Sequence, residues 1–191
     1  YSIRWDGDAN PLLINDPRFS PAGVLAPQSK SDLAFTMHML SWLSTSGTAA
    51  IVEYPGVLSR IGSEQKIRKY LVDNNYIDTI IQLPANLFFG VSIATCIIVL
   101  KKSKRENKTL FIDASNEFER VGIKNKLTKE NRLNILNAFI QRQDIEYFSN
   151  IVDNSVIALN DYDLQVNKYV IQNDISEEFD IQQLNVQIED T

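Results

Sequence analysis

The residues able to do chemistry gather at three junctions. The run Val52-Glu53-Tyr54-Pro55-Gly56-Val57-Leu58-Ser59-Arg60 leads an apolar strand into a loop, with a carboxylate at the strand end and a cation seven residues on. Glu53 thus falls at the strand end where open α/β sheets bind ligands. The run Leu83-Pro84-Ala85-Asn86-Leu87-Phe88-Phe89-Gly90 is a second strand-to-loop passage, carrying two adjacent aromatics. The opening Tyr1-Ser2-Ile3-Arg4-Trp5 sets a cation between aromatics. Arg4 and Arg60 have the chemistry to meet phosphates and equally that of ordinary surface charge. Phe88 and Phe89 are equally suited to packing beside a sheet edge. His38 is the single histidine, which excludes a histidine-based metal cluster. It is expected as a core or half-buried residue. Cys96 lies inside an apolar strand and reads as a small hydrophobe.

These junctions need a scaffold. A helix is expected over Asp32 to Leu43, capped by Ser31 or Asp32. Leu33, Met37 and Leu40 share its face, with Phe35, Met39 and Trp42 close by, so the helix should be mostly buried. Thr48–Tyr54 reads as a buried strand between Gly47 and Pro55. A second helix should span Ser63 to Asn75, burying Ile67, Tyr70 and Leu71 and leaving Lys66, Arg68 and Lys69 in water. Tyr76–Leu83, Ile93–Leu100 and Thr109–Ala114 read as further strands. The last two are expected as a hairpin across the charged turn Lys101–Lys108. Beyond Leu127 the pattern turns helical, with Thr128 as cap and Leu133, Leu136, Phe139 and Ile140 on one face. Residues 144–170 are mixed and polar. The order of elements points to an α/β sheet. No two of the seven glycines form G-x-G, and no P-loop is present.

The chain has 191 residues and a net charge of −5. The acids Asp174, Glu177, Glu178, Asp180, Glu189 and Asp190 fall in the last twenty residues, which hold no Lys or Arg. The body is therefore nearly neutral, which argues against a simple basic nucleic-acid sponge. One cysteine rules out an internal disulfide and suits the cytosol. No apolar run approaches a membrane span.

The four segments Tyr1–Trp5, Val52–Arg60, Leu83–Gly90 and Thr95-Cys96-Ile97-Ile98-Val99-Leu100 together resemble the modification subunit of type I restriction-modification systems. Leu110-Phe111-Ile112-Asp113-Ala114-Ser115 extends the likeness, which runs from Tyr1 to about Val170. Ile61 and Ala94 depart from the family's frequent Gly and Pro. Such subunits are S-adenosylmethionine-dependent DNA adenine-N6 methyltransferases. The resemblance implies the C-terminal half of a Rossmann-like methyltransferase sheet with one antiparallel strand, Ile93–Leu100, inserted between two parallel ones. Residues 1–127 would be the C-terminal part of the catalytic domain, and 128–191 a helical, partner-binding extension.

In that family Tyr1 would close the catalytic Asn-Pro-Pro-Phe/Tyr motif. The motif Asn and the cofactor's glycine-rich loop would lie before it. The chain as it stands is therefore expected neither to methylate nor to bind S-adenosylmethionine. Tyr1, with Phe88 or Phe89, would hold a flipped adenine, each stacking face being worth about 1–3 kcal/mol. Arg4 and Arg60 are possible phosphate contacts, and Asp32 is a possible neighbour of the cofactor adenine as well as a helix cap. No metal is implied. Ile181, Leu184 and Ile188 make a narrow apolar seam, matching a tail that would meet the specificity subunit. Duplex DNA, a second modification subunit and the restriction subunit complete the implied partners, in the cytoplasm. The rival reading is a non-catalytic remnant that only binds partner subunits.

Overall fold

In the computed structural model, residues 3–172 are described. Tyr1 and the seam Ile181, Leu184 and Ile188 lie outside them. Seven strands and four helices follow one another along this stretch. They are α1 (Asp32–Trp42), β1 (Thr48–Glu53), α2 (Ser63–Asp73), β2 (Ile77–Gln82), β3 (Cys96–Lys101), β4 (Lys108–Asp113), β5 (Glu119–Val121), β6 (Lys124–Lys126), α3 (Lys129–Gln141), β7 (Ser149–Asp153) and α4 (Asn154–Leu159). Five strands form one sheet in the order β1-β3-β2-β4-β7, and β5-β6 is a separate hairpin. The fold is α/β.

β3 runs antiparallel to both β1 and β2, while β2 and β4 are parallel. The reversed strand therefore sits between two parallel ones, as expected. Its start differs: Ile93 is exposed, and pairing begins at Cys96. β3 and β4 are not neighbours, so the expected hairpin does not form. The Lys101–Lys108 connection instead crosses beneath β2. Lys102 donates to the Leu43 carbonyl and Lys104 to the Ile77 carbonyl, each at 2.5 Å, while Lys101 pairs with Asp78 at 3.4 Å. These lysines fasten a crossover and are not a solvated turn.

Strand residues alternate between two apolar layers. Ile80, Ile98, Leu100 and Phe111 face the layer of α1, α2 and α4. Ile81, Leu110 and Ile112 face Ala138 of α3. Burial on both faces explains why these strands read as continuous apolar runs. The sheet does not stop at residue 127. β7, from the polar-looking stretch 144–170, pairs antiparallel with β4.

Three helical expectations are corrected. In α1, Ser31 makes no side-chain cap bond, and Phe35 and Trp42 are exposed. α3 is capped by a reciprocal Thr128–Asn131 box, yet it turns Ala138, Ile135 and Phe139 inward, leaving Leu133, Leu136 and Ile140 exposed. Small Ala138 is the residue that lets the helix sit close on β4. In α2, Arg68 is only 2% exposed. Its guanidinium donates to the carbonyls of Tyr162 (2.8 Å), Val57 (2.9 Å) and Arg60 (2.8 Å). It thereby ties α2 to the turn after β1 and to the chain after α4.

A buried cation serving three carbonyls leaves all three unsatisfied when removed. Arg68→Met should lower unfolding free energy by about 3–5 kcal/mol, read as a fall in urea midpoint. Arg68→Lys should recover little, because one ammonium cannot reproduce the planar fork. A loss below about 1 kcal/mol would show that water replaces the guanidinium.

Candidate functional site

The carboxyl edge of the sheet collects a row of functional side chains. Glu53 pairs with Cys96, Cys96 with Gln82, and Gln82 with Asp113, so one register line crosses four strands. Because β3 is reversed, its first residue joins the last residues of β1, β2 and β4. Gln82 donates to the carbonyls of Leu83 and Thr95, both at 3.2 Å. Asp113 accepts from the Ser115 backbone at 2.9 Å and from Gln172 at 3.3 Å. Thr95 Oγ1 is buried with no partner among the described residues. A polar cleft of about 230 Å³ opens here between Gln82, Asp113, Ser115 and Gln165.

Glu53 is buried and accepts from Thr36 Oγ1 at 3.1 Å. Burial pushes its carboxyl up to about 7 despite that bond. The thiol of Cys96 is likewise pushed up to about 12 by burial, so it is an inert apolar filler.

Beside this row, Arg60 and Asp32 come together, their charged atoms 3.9 Å apart. Arg60 also donates to Glu64 at 2.9 and 3.2 Å and lies over the Tyr54 ring at 5.3 Å. A guanidinium so engaged ties the loop after β1 to the first turns of α1 and α2. Gly56 makes the packing possible: a Cβ there would come within 2.5 Å of the guanidinium and 2.7 Å of the Tyr54 ring. Where Ile61 replaces a glycine, Gly62 takes the left-handed φ of 83° at the start of α2. Asp32 opens α1, buried at its first turn.

Arg4 is exposed. It lines a second, aromatic cleft of about 370 Å³ with Ile3, Trp5, Phe19, Phe35 and His38. Trp5 fixes one wall, donating from Nε1 to the Pro27 carbonyl at 3.0 Å. His38 is half-buried and stacked on Phe19, as expected. Ser31 Oγ, at the cleft and 3% exposed, has no partner among the described residues. Phe35 and Ser31 gave no sequence signal of a site; only α1's placement against the opening segment shows it. That placement comes from backbone bonds, Ser31 to Ile3 at 3.0 Å and Trp5 to Gln28 at 3.0 Å.

Phe88 and Phe89 sit on the loop joining β2 to β3. Phe89 is fully exposed and Phe88 partly so, which sets aside core packing for Phe89. Among the described residues no group of three His, Cys, Asp or Glu side chains could hold a metal ion. None of the described helices is long and apolar enough to cross a membrane.

A reversed strand between two parallel ones, with a polar cleft at the carboxyl edge, defines an α/β fold of mixed sheet and flanking helices. The model of the N-6 DNA methylase family matches residues 1–178, and the chain belongs to that family. It is 48% identical, over all 191 of its residues, to the type I restriction enzyme MpnII methylase subunit of Mycoplasma pneumoniae, covering 35% of that protein. It is 38% identical over 165 residues to the MjaVII methylase subunit of Methanocaldococcus jannaschii, covering 83% of this chain and 28% of that one. A crystal structure of a type I restriction-modification methyltransferase subunit from Streptococcus thermophilus matches with a TM-score of 0.86 and 44% identity, over 89% of this chain and 36% of that one. The chain thus spans about a third of the length of these relatives.

The raised Glu53 carboxyl has a pH signature. The native state holds the proton more tightly than the unfolded chain, whose carboxyl titrates near 4.5. Its contribution is fully present below about pH 4.5, is lost as pH rises through about 7, and stays lost above. Glu53→Gln keeps the acceptor for Thr36 without that penalty. It should be near neutral at pH 4.5 and stabilising at pH 8, by up to about 3 kcal/mol. Melting curves at the two pH values check this, and an equal effect at both would show that Glu53 titrates normally.

Proposed function

We propose that this chain forms the target-base side of an enzyme that methylates the N6 amino group of adenine in duplex DNA. The observation that carries the reading is the β2–β3 loop, which starts and ends at the carboxyl edge and displays Phe88 and Phe89 to solvent. A base flipped from a duplex needs aromatic faces. Tyr1, as the last residue of an Asn-Pro-Pro-Tyr motif, would supply the opposing face. Arg4, exposed beside Trp5, would meet a DNA phosphate.

S-adenosylmethionine supplies the methyl group, which passes to N6 as the carbon–sulfur bond breaks and one proton leaves the amine. Family membership supports this cofactor. The aromatic cleft of Trp5, Phe19 and Phe35 fits a planar nucleoside, and unpartnered Ser31 Oγ can hydrogen-bond to it. Asp32 is the neighbouring carboxylate. These residues would form one wall of the site, without the glycine-rich loop that binds the cofactor in the family. The 191-residue chain alone is therefore expected to show no calorimetric binding of S-adenosylmethionine; micromolar binding would mean that this wall suffices.

The likeness to type I methylase subunits extends the proposal to partners. A specificity subunit would read the DNA sequence, and a second modification subunit and a restriction subunit would complete a cytoplasmic complex. Residues 128–191 would carry the partner-binding extension, and the Rossmann-like sheet would be completed by the part of the enzyme preceding Tyr1.

In the complete enzyme, Tyr1→Ala should lower methylation by about 5- to 150-fold, the worth of one stacking face. Duplex affinity should hardly move, since it rests on spread phosphate contacts. Tyr1→Phe and Tyr1→Trp should retain much of the activity. Phe88→Ala and Phe89→Ala should separate, one behaving like Tyr1→Ala and the other mainly losing stability. Wild-type methylation by Tyr1→Ala would remove Tyr1 from the base pocket.

A further inference from the structure

The β5–β6 hairpin lies outside the main sheet, yet it reaches the β2–β3 loop. Lys124 Nζ donates to the Phe88 carbonyl at 2.9 Å and the Val91 carbonyl at 3.2 Å. Asn125 Nδ2 donates to the Ala85 carbonyl at 2.9 Å, and its backbone N–H donates to the Asn86 carbonyl at 3.1 Å. Four carbonyls of one loop thus end on two consecutive hairpin residues. Asn125 is 92% buried at this junction, being only 8% exposed.

The loop has little else to hold its crown. Leu83 N–H to the Thr95 carbonyl at 2.8 Å closes its base, and above that Asn86 N–H to the Ser92 carbonyl and Val91 N–H to the Phe88 carbonyl, each at 3.2 Å, are the internal backbone bonds. Leu87 packs against the core, but Phe88, Phe89 and Ile93 are all exposed. Asn86 turns the chain with a left-handed φ of 57°, and Asn125 grips the carbonyls on both sides of that turn. A segment with few buried contacts opens locally at low cost, whereas a base clamp must keep its geometry to within about 1 Å.

We propose that the β5–β6 hairpin is the brace that sets the position of the base-capture loop, with Lys124 and Asn125 as positioning residues for methyl transfer. The proposal rests on the reading of Phe88 and Phe89 as base-capture residues. Asn125 fixes the entry of the loop and Lys124 its crown. The two act on the flipped base through the loop backbone, so they bear on capture and not on duplex affinity.

The test uses the complete methyltransferase with its sequence-reading partner and two duplexes: an unmodified one to read kcat, and one with 2-aminopurine in place of the target adenine, which has no N6 amino group and reports base capture alone. Lys124→Met and Asn125→Ala should each lower kcat by about 5- to 30-fold, the effect of losing one or two bonds. The Kd for duplex should stay within about 3-fold, because phosphate contacts dominate it. The 2-aminopurine fluorescence gain on binding should fall in step with kcat. Lys124→Arg, which can still donate to both carbonyls, should restore most of both signals. Should Asn125→Ala not fold, the Lys124→Met and Lys124→Arg pair decides alone. If Lys124→Met keeps wild-type kcat and fluorescence while Phe88→Ala or Phe89→Ala lowers both, the brace is wrong and base capture stands. An equal loss in Lys124→Met and Lys124→Arg with full fluorescence also overturns the brace. If neither phenylalanine variant lowers methylation, the base-capture reading fails and the brace falls with it.

Discussion

The insertion of β3 between β1 and β2 governs the molecule. An antiparallel strand between two parallel ones must enter from the edge where β2 ends. The connection between them therefore has no crossover to make and turns back over the carboxyl edge. That one pairing choice puts Cys96 in line with Glu53 and Gln82. It also makes residues 83–95 a canopy above the row. A right-handed crossover helix, the usual link between parallel strands, would have carried Phe88 and Phe89 away to a sheet face.

A polar network beneath the edge keeps it open. Arg68 satisfies the turn that follows β1, and Arg60 joins Asp32, Glu64 and the Tyr54 ring in one cluster. Burial drives the Glu64 carboxyl upward, and the adjacent Arg60 charge opposes this. Such buried ion clusters add little net stability, because desolvation offsets attraction. Their effect here is geometric. They hold residues 55–64 in one path, so that Pro55 and Leu58 of the loop after β1 line the polar cleft beside Gln82 and Asp113.

What the sequence disclosed follows the range of the forces involved. Apolar runs bounded by Gly and Pro located β1, β2, β3 and β4, because strands buried on both faces need such runs. The Thr128 cap was equally legible, since it depends on three neighbouring residues. The expected β3–β4 hairpin failed because short connection length suggests pairing but does not require it; β2 had already taken the place beside β4. Arg68 looked solvated among Lys66 and Lys69, since its acceptors come from residues as distant as Tyr162. β5 and β6, three residues each, carry no periodicity that could announce them, and β7 was hidden by its polar setting.

Of the candidate site, family-specific phrases located the edge, the aromatic loop and the opening segment, whereas the aromatic cleft on α1 needed the fold. Charge adds a last constraint. The body of the chain is nearly neutral, and its acids concentrate in the last twenty residues. Nonspecific affinity for duplex DNA rises with the number of cations on phosphates, and several of this chain's cations are committed within the fold. Arg60, Arg68, Lys101, Lys102 and Lys104 are all spent on carboxylates and carbonyls. What the carboxyl edge presents to solvent is aromatic, Phe89 fully and Phe88 in part, while these cations are turned inward to fasten the scaffold beneath it.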